Sequence, residues 1–205
     1  MAYPVSFEAD YVEHRKRLSA LVRLILVVPL AIWLYLYAIV AFVGVVIAWV
    51  VVILSGRYPP ALYDFEAGFL RFQARVTAYG ALLCDGYPSF GGSDDPSYPV
   101  RMHFARLERY SRARALFRFI LALPILVVRY IMGLLLEVGA FAAWVVIVIT
   151  GKMPRGLFDV LVLANSYTAR SDAYLLLLTE TYPPFQDEQT RAAGTPYPRQ
   201  APPVT

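Results

Sequence analysis

The chain has 205 residues, 59% of them hydrophobic and 17% charged, with a formal net charge of +4. A soluble domain carries about 25% charged residues, so this composition excludes an ordinary soluble globule and points to a membrane protein. Seventeen of the 19 basic residues are Arg, and they lie almost entirely outside the apolar segments. They form no continuous basic stripe, so no nucleic-acid partner is expected.

In chain order, Val5, Phe7, Ala9 and Tyr11 alternate with polar positions, a period that predicts a short strand. A helix start among Glu13, Arg15 and Arg17 then runs into residues 24–56, 33 positions without a charge. About 20 such residues suffice to cross a bilayer. The first 20 residues mix acidic with basic side chains and offer no small-residue cleavage site, so this block is expected to insert uncleaved. At Gly56-Arg57-Tyr58-Pro59-Pro60 a glycine stands where a helix can be capped and a proline where the next can open. Over 61–83, Leu62, Phe65, Phe69, Phe72, Val76, Tyr79 and Leu83 recur at three- and four-residue steps. That spacing predicts an amphipathic helix, and its position beside a membrane block suggests one lying at the interface. Residues 91–97, Gly-Gly-Ser-Asp-Asp-Pro-Ser, read as a linker.

The unit then repeats. Setting each residue against the one 95 positions later aligns 3–90 with 98–185 without a gap, at 31 identities in 88 positions. Tyr3-Pro4-Val5 matches Tyr98-Pro99-Val100, Arg23 matches Arg118, and Pro29 matches Pro124. Further along, Trp49 matches Trp144 and Gly56 matches Gly151. An internal duplication of this kind defines repeat 1 as 1–90 and repeat 2 as 98–185. The remaining 186–205 is polar and Pro-rich, the composition of a disordered tail.

Each apolar block admits two readings. A single 33-residue helix would be about 50 Å long against a hydrocarbon core of about 30 Å, so it would have to tilt strongly. A hairpin is favoured by basic residues at both ends of each block: Arg17, Arg23 and Arg57, then Arg118, Lys152 and Arg155. It also suits Arg129 and Glu137, which stand symmetrically about Gly133 and would pair at an outer turn. The fold expected is therefore an all-α membrane protein of two tandem repeats. Each is a transmembrane helical hairpin (17–56 and 112–151) followed by an amphipathic interfacial helix (61–83 and 156–178), with a short N-terminal strand. Four spans would leave both termini cytoplasmic.

Gly56-Arg57-Tyr58-Pro59, Asp64-Phe65, Gly68, Leu70-Arg71-Phe72, Arg75, Tyr79 and Asp85-x-Tyr87-Pro88-x-Phe90 occur in that order. In them the chain resembles a bacterial, mainly actinobacterial, membrane-protein family known only as domain of unknown function 4389. The second unit keeps Gly151, Pro154, Asp159, Arg170, Tyr174 and Tyr182-Pro183-x-Phe185. It departs at Lys152-Met153, Val160, Leu163 and Asn165-Ser166. The resemblance implies the bacterial cytoplasmic (inner) membrane and a multi-pass protein, and brings no activity with it.

The chain carries no Gly-rich phosphate loop, no His-x-x-x-His and no Gly-x-Ser-x-Gly. The single thiol, Cys84, with His14 and His103 makes no zinc spacing, so no enzyme activity, metal or cofactor is expected. Trp49 and Trp144 read as membrane anchors or packing residues. Asp64 and Arg75, like Asp159 and Arg170, are three helical turns apart and share a face. An antiparallel crossing near Phe69/Ala164 would join Asp64 to Arg170 and Arg75 to Asp159. These charges, with Tyr79 and Tyr174, are candidates for a repeat interface or for holding lipid headgroups; simple solvation is the plain alternative. Two functions remain open. One is a non-catalytic scaffold or accessory subunit of a membrane complex, contacting lipid, partner proteins or further copies of itself. The other is a small transporter, channel or lipid-moving protein using the repeat interface.

Overall fold

Each apolar block forms one continuous helix. The computed structural model describes residues 3–184, and the tail expected at 186–205 lies outside them, as does Phe185. Its elements are β1 (Val5–Ala9), α1 (Arg17–Ser55), α2 (Pro60–Gly80), β2 (Val100–Phe104), α3 (Arg112–Leu116), α4 (Arg118–Thr150) and α5 (Arg155–Leu175). The hairpins expected at 17–56 and 112–151 are not formed, and the four-span arrangement falls with them. The physical reason is local. Gly133 has no turn-forming neighbour, and opening the helix there would strip partners from backbone groups inside an apolar segment. The chain instead turns where its chemistry allows: Gly56 and Gly151 take left-handed φ of 69° and 73°, donating to Val52 O and Ile147 O. Pro59 and Pro154 then precede α2 and α5. Pro29 and Pro124 are accommodated inside the long helices.

α1 turns a narrow stripe inward: Ala20, Arg23, Leu30, Ala41, Gly44, Ala48 and Val52. α4 repeats it 95 residues later as Arg118, Ile125, Leu136, Gly139, Ala143 and Ile147. The small residues of the stripe let α2 and α5 approach closely. A Cβ on Gly44 would lie 2.5 Å from Glu66 Oε1, and one on Gly139 would lie 2.8 Å from Leu161 Cδ2. Elsewhere α1 and α4 are exposed, with Ile25, Phe42 and Leu54 each about 70% accessible. The less apolar helices are the interior ones: α2 buries 12 of its 21 residues and α5 buries 13 of 21. A soluble domain has the opposite distribution, with its most apolar elements inside. Both α2 and α5 are covered on two sides rather than lying free at an interface, which corrects that part of the expectation.

β1 and β2 form one antiparallel pair, centred on Phe7↔Met102, so the two units share a single ribbon. Val5, Phe7, Ala9, Val100 and Met102 point inward from it. Shifting every partner by 95 maps the register onto itself, the mark of a pseudo-twofold axis through that central pair. The same symmetry relates Tyr110 N→Gly56 O (2.9 Å) to Arg15 N→Gly151 O (3.0 Å). It also relates Trp49 Nε1→Ala115 O (2.8 Å) to Trp144 Nε1→Ala20 O (3.1 Å). These contacts set the C-terminal end of each long helix against the start of the other unit, so α1 and α4 run antiparallel.

Candidate functional site

Buried arginine side chains organise both units. Arg23 Nη1 donates to Tyr79 O and Cys84 O, each at 2.8 Å, while Nη2 reaches Asp85 Oδ1 at 2.7 Å. Its guanidinium carbon lies 4.4 Å from the centre of the Tyr79 ring. In the second unit Arg118 donates to Thr179 O and lies 4.0 Å from the Tyr174 ring centre. Each clamp closes a turn in which a leucine takes left-handed φ, Leu82 at 59° and Leu177 at 62°. Tyr79 and Tyr174 are thus the floors of two structural clamps. The indoles of Trp49 and Trp144 join the units through the carbonyls already named.

The expected Asp–Arg crossing is not formed. Asp64 is exposed, and Asp159 is exposed beside Arg155 of its own helix, 3.5 Å away. Arg75 is buried with its guanidinium 5.3 Å from the Tyr98 ring centre. Arg170 is buried and donates to the Ser166 carbonyl and hydroxyl. α2 and α5 do meet, but through Leu70, Gln73, Ala74 and Thr77 against Asn165, Thr168, Ala169 and Asp172. That seam turns Asp64 and Asp159 outward. Within it Asp172 accepts from Gln73 Nε2 at 2.8 Å and from both Nε and Nη2 of Arg129. Arg129 therefore pairs with α5, and the expected Arg129–Glu137 pair is absent. Eight residues along a continuous helix separate those two by about 12 Å, and Glu137 stands exposed on α4.

Two features escaped the sequence reading. The first is Glu66, completely buried beneath Gly44. Neither carboxylate oxygen has a hydrogen-bond partner among the described residues. Burial alone pushes its carboxyl up to about 8. Leu161 holds the equivalent place in the second unit, so the signal was a single acid on an otherwise apolar stripe. The second is a cavity of about 470 Å³ at the end of α1, with Arg57, Arg106 and Glu108 at its rim and Val51 and Leu107 in its wall. At the equivalent place in the other unit Lys152 Nζ lies 3.0 Å from Glu13 Oε1, and His14 and Lys152 form a backbone bridge. Among the described residues neither Arg57 nor Arg106 has a carboxylate within ion-pair distance. Two guanidinium groups beside an apolar wall suit an oxyanion carried on a greasy body, such as a lipid headgroup or an acidic side chain of a partner. Among the described residues no three His, Cys, Asp or Glu side chains come together as a metal site.

The model of a family described as a domain of unknown function (DUF4389) matches the chain twice, over residues 17–91 and 112–186. The chain belongs to that family. The two matches are the two units, each beginning at a long helix or just before it. Both strands of the shared ribbon fall outside the two matches. No curated protein and no solved structure matches the chain. Two helices, α1 and α4, are long and apolar enough to cross a membrane.

Proposed function

We propose that this DUF4389 protein is a non-catalytic, membrane-embedded scaffold or accessory subunit that contacts anionic lipid or partner proteins at its polar side. We place it in the bacterial cytoplasmic membrane with both termini in the cytoplasm. The observation that carries this reading is the cavity rimmed by Arg57 and Arg106, open beside the exposed apolar end of α1. At its symmetry mate the cation already has a partner, Lys152 with Glu13. The polar residues repeated in both units support the same reading, because Arg23, Arg118, Trp49 and Trp144 hold the protein to itself. A transport route through the repeat interface is disfavoured. The α2–α5 seam holds a void of only about 10 Å³, scarcely one water, and Asp172 within it is already neutralised by Arg129.

The test is purification from native membrane in mild detergent, comparing the wild type with Arg57→Glu/Arg106→Glu. Loss of bound acidic lipid or of a partner protein is expected, with thermal stability unchanged. Identical lipid and protein profiles for the two would overturn the assignment to this cavity. Turnover of any substrate by the purified protein would overturn the non-catalytic reading.

A further inference from the structure

The two sides of the molecule cannot share one solvent. α2 lies antiparallel along α1: Arg23 meets Tyr79 at one end and Gly44 faces Glu66 toward the other. Between them the Tyr37 ring sits 5.3 Å from Phe69. On the far side of α2 lies the ribbon, where the Met102 carbonyl accepts from Arg71 Nε at 3.3 Å. Arg71 is one residue before Phe72, which also stacks on Tyr37. The centre of the ribbon is therefore level with the middle of α1, and by symmetry with the middle of α4. Outward from this ribbon and its loops stand Glu8, Asp10, His103 and Asp94, all exposed, with Arg101 held between Glu8 and Asp10.

If α1 crossed a bilayer end to end, these charges would sit at the hydrocarbon midplane. So would the outer edges of a two-stranded sheet, beyond the Met102 carbonyl that Arg71 Nε holds. Open sheet edges facing lipid have no partners for their N–H and C=O groups, which is why only helices and closed barrels traverse a membrane. The opposite side of the molecule has the reverse character. There α1 and α4 present Ile25, Ile39, Phe42, Phe119, Val138 and Ile149, among many others, as exposed apolar surface. Between the ends of the two helices, Glu137 is the one charged side chain left exposed on that surface, since Arg129 turns to Asp172. Lys16 and Arg17 flank α1 at one end and Arg57 at the other; Arg112 and Arg114 precede α4, and Lys152 and Arg155 follow it. At 39 residues α1 is about 58 Å long, nearly twice the thickness it would need to cross.

We propose that α1 and α4 lie in the plane of the membrane, immersed in one leaflet by their outer faces, with the β1–β2 ribbon in water on that same side. The partner of this surface is the acyl-chain layer of a single leaflet, and the basic residues at both helix ends meet its headgroups. The pseudo-twofold axis then runs along the membrane normal. Basic residues at both ends of each block follow from this placement without a hairpin. The inference rests on the membrane reading above, and the test separates the two.

Full-length variants Lys16→Cys, Arg57→Cys and His103→Cys are expressed in cells and treated with a membrane-impermeant maleimide. The wild type, whose Cys84 is buried, serves as the control. In-plane placement predicts that all three positions react in inverted vesicles and none in spheroplasts. Reaction of Lys16→Cys and Arg57→Cys from opposite faces would mean that α1 crosses, and would overturn the proposal. A second measurement reads depth, with fluorophores on cysteines at Ile25, Ile39 and Leu54 and lipids carrying shallow or deep nitroxides. The ratio of deep to shallow quenching should agree across the three within about twofold; a ratio several-fold higher at Ile39 alone would also overturn it. Release of the protein by alkaline carbonate, with no quenching anywhere, would remove the membrane reading itself.

Discussion

Arg23 and Arg118 each hold a carbonyl-lined turn, and in the first unit Arg15 helps by donating to Leu83 O. Replacing either by Ala strands buried carbonyl acceptors, in the first unit also leaving the Asp85 carboxylate only Arg15 at 3.8 Å, and should lower stability by about 1–3 kcal/mol. Arg23→Lys should recover little of it, because an ammonium cannot span two carbonyls and a carboxylate as the planar fork does. Thermal unfolding in detergent measures both. Glu66 makes a different prediction. Its carboxyl, ordinarily near 4.5, is pushed up to about 8 by burial. A raised acid favours the folded state while protonated, so its contribution is complete below about 4.5 and is lost as pH rises through about 8. Glu66→Leu, which installs the residue found at position 161, should abolish that fall. The wild type should lose thermal stability between about pH 4.5 and 8 while the variant stays level. A parallel decline in both would assign the pH dependence to other groups.

At the scale of elements, close packing rests on Gly139. A Cβ there would meet Leu161 Cδ2 at 2.8 Å, so Gly139→Val should overpack the α4–α5 contact and cost about 1–3 kcal/mol by chemical denaturation. The same contact shows what the sequence could and could not reveal. The helix breaks at Gly56–Pro59 and Gly151–Pro154, the repeat offset and the apolar face of α2 were all legible, because Gly, Pro and period leave local marks. The inward stripe of α1 was not, because Ala41, Gly44 and Ala48 are hidden among neighbours just as apolar. Basic residues at both block ends fit a hairpin and an in-plane helix equally well. The rotation of α2 about its own axis, which turns Asp64 outward and sets Gln73 against Asp172, depends on which faces meet across 99 residues of chain. The pairing of β1 with β2 spans a similar distance, and alternation alone predicts a strand without naming its partner.

The whole molecule is held by contacts that cross between units: the ribbon, the two tryptophan bonds, and the Gly56 and Gly151 carbonyls. Residues 1–97 and 98–205 produced as separate chains should therefore be unstable singly and should copurify as a one-to-one complex when made together. Stable monomers of either half would show that the crossing contacts are dispensable. Every one of these contacts that occurs twice is a contact that a symmetric dimer of single units would also make. Tethering turned such an encounter from one that depends on concentration into one that happens within a chain. It also released the halves from having to be identical. In a true dimer every acid placed on the seam would arrive twice. Here Thr77 occupies the position that mirrors Asp172, Leu34 mirrors Arg129, and the part-buried Arg129–Asp172–Gln73 network exists once. Fusion is what allows one half to carry a lone buried acid at Glu66 while the other stays hydrocarbon at Leu161, and Lys152 to pair with Glu13 while Arg57 has no carboxylate beside it among the described residues.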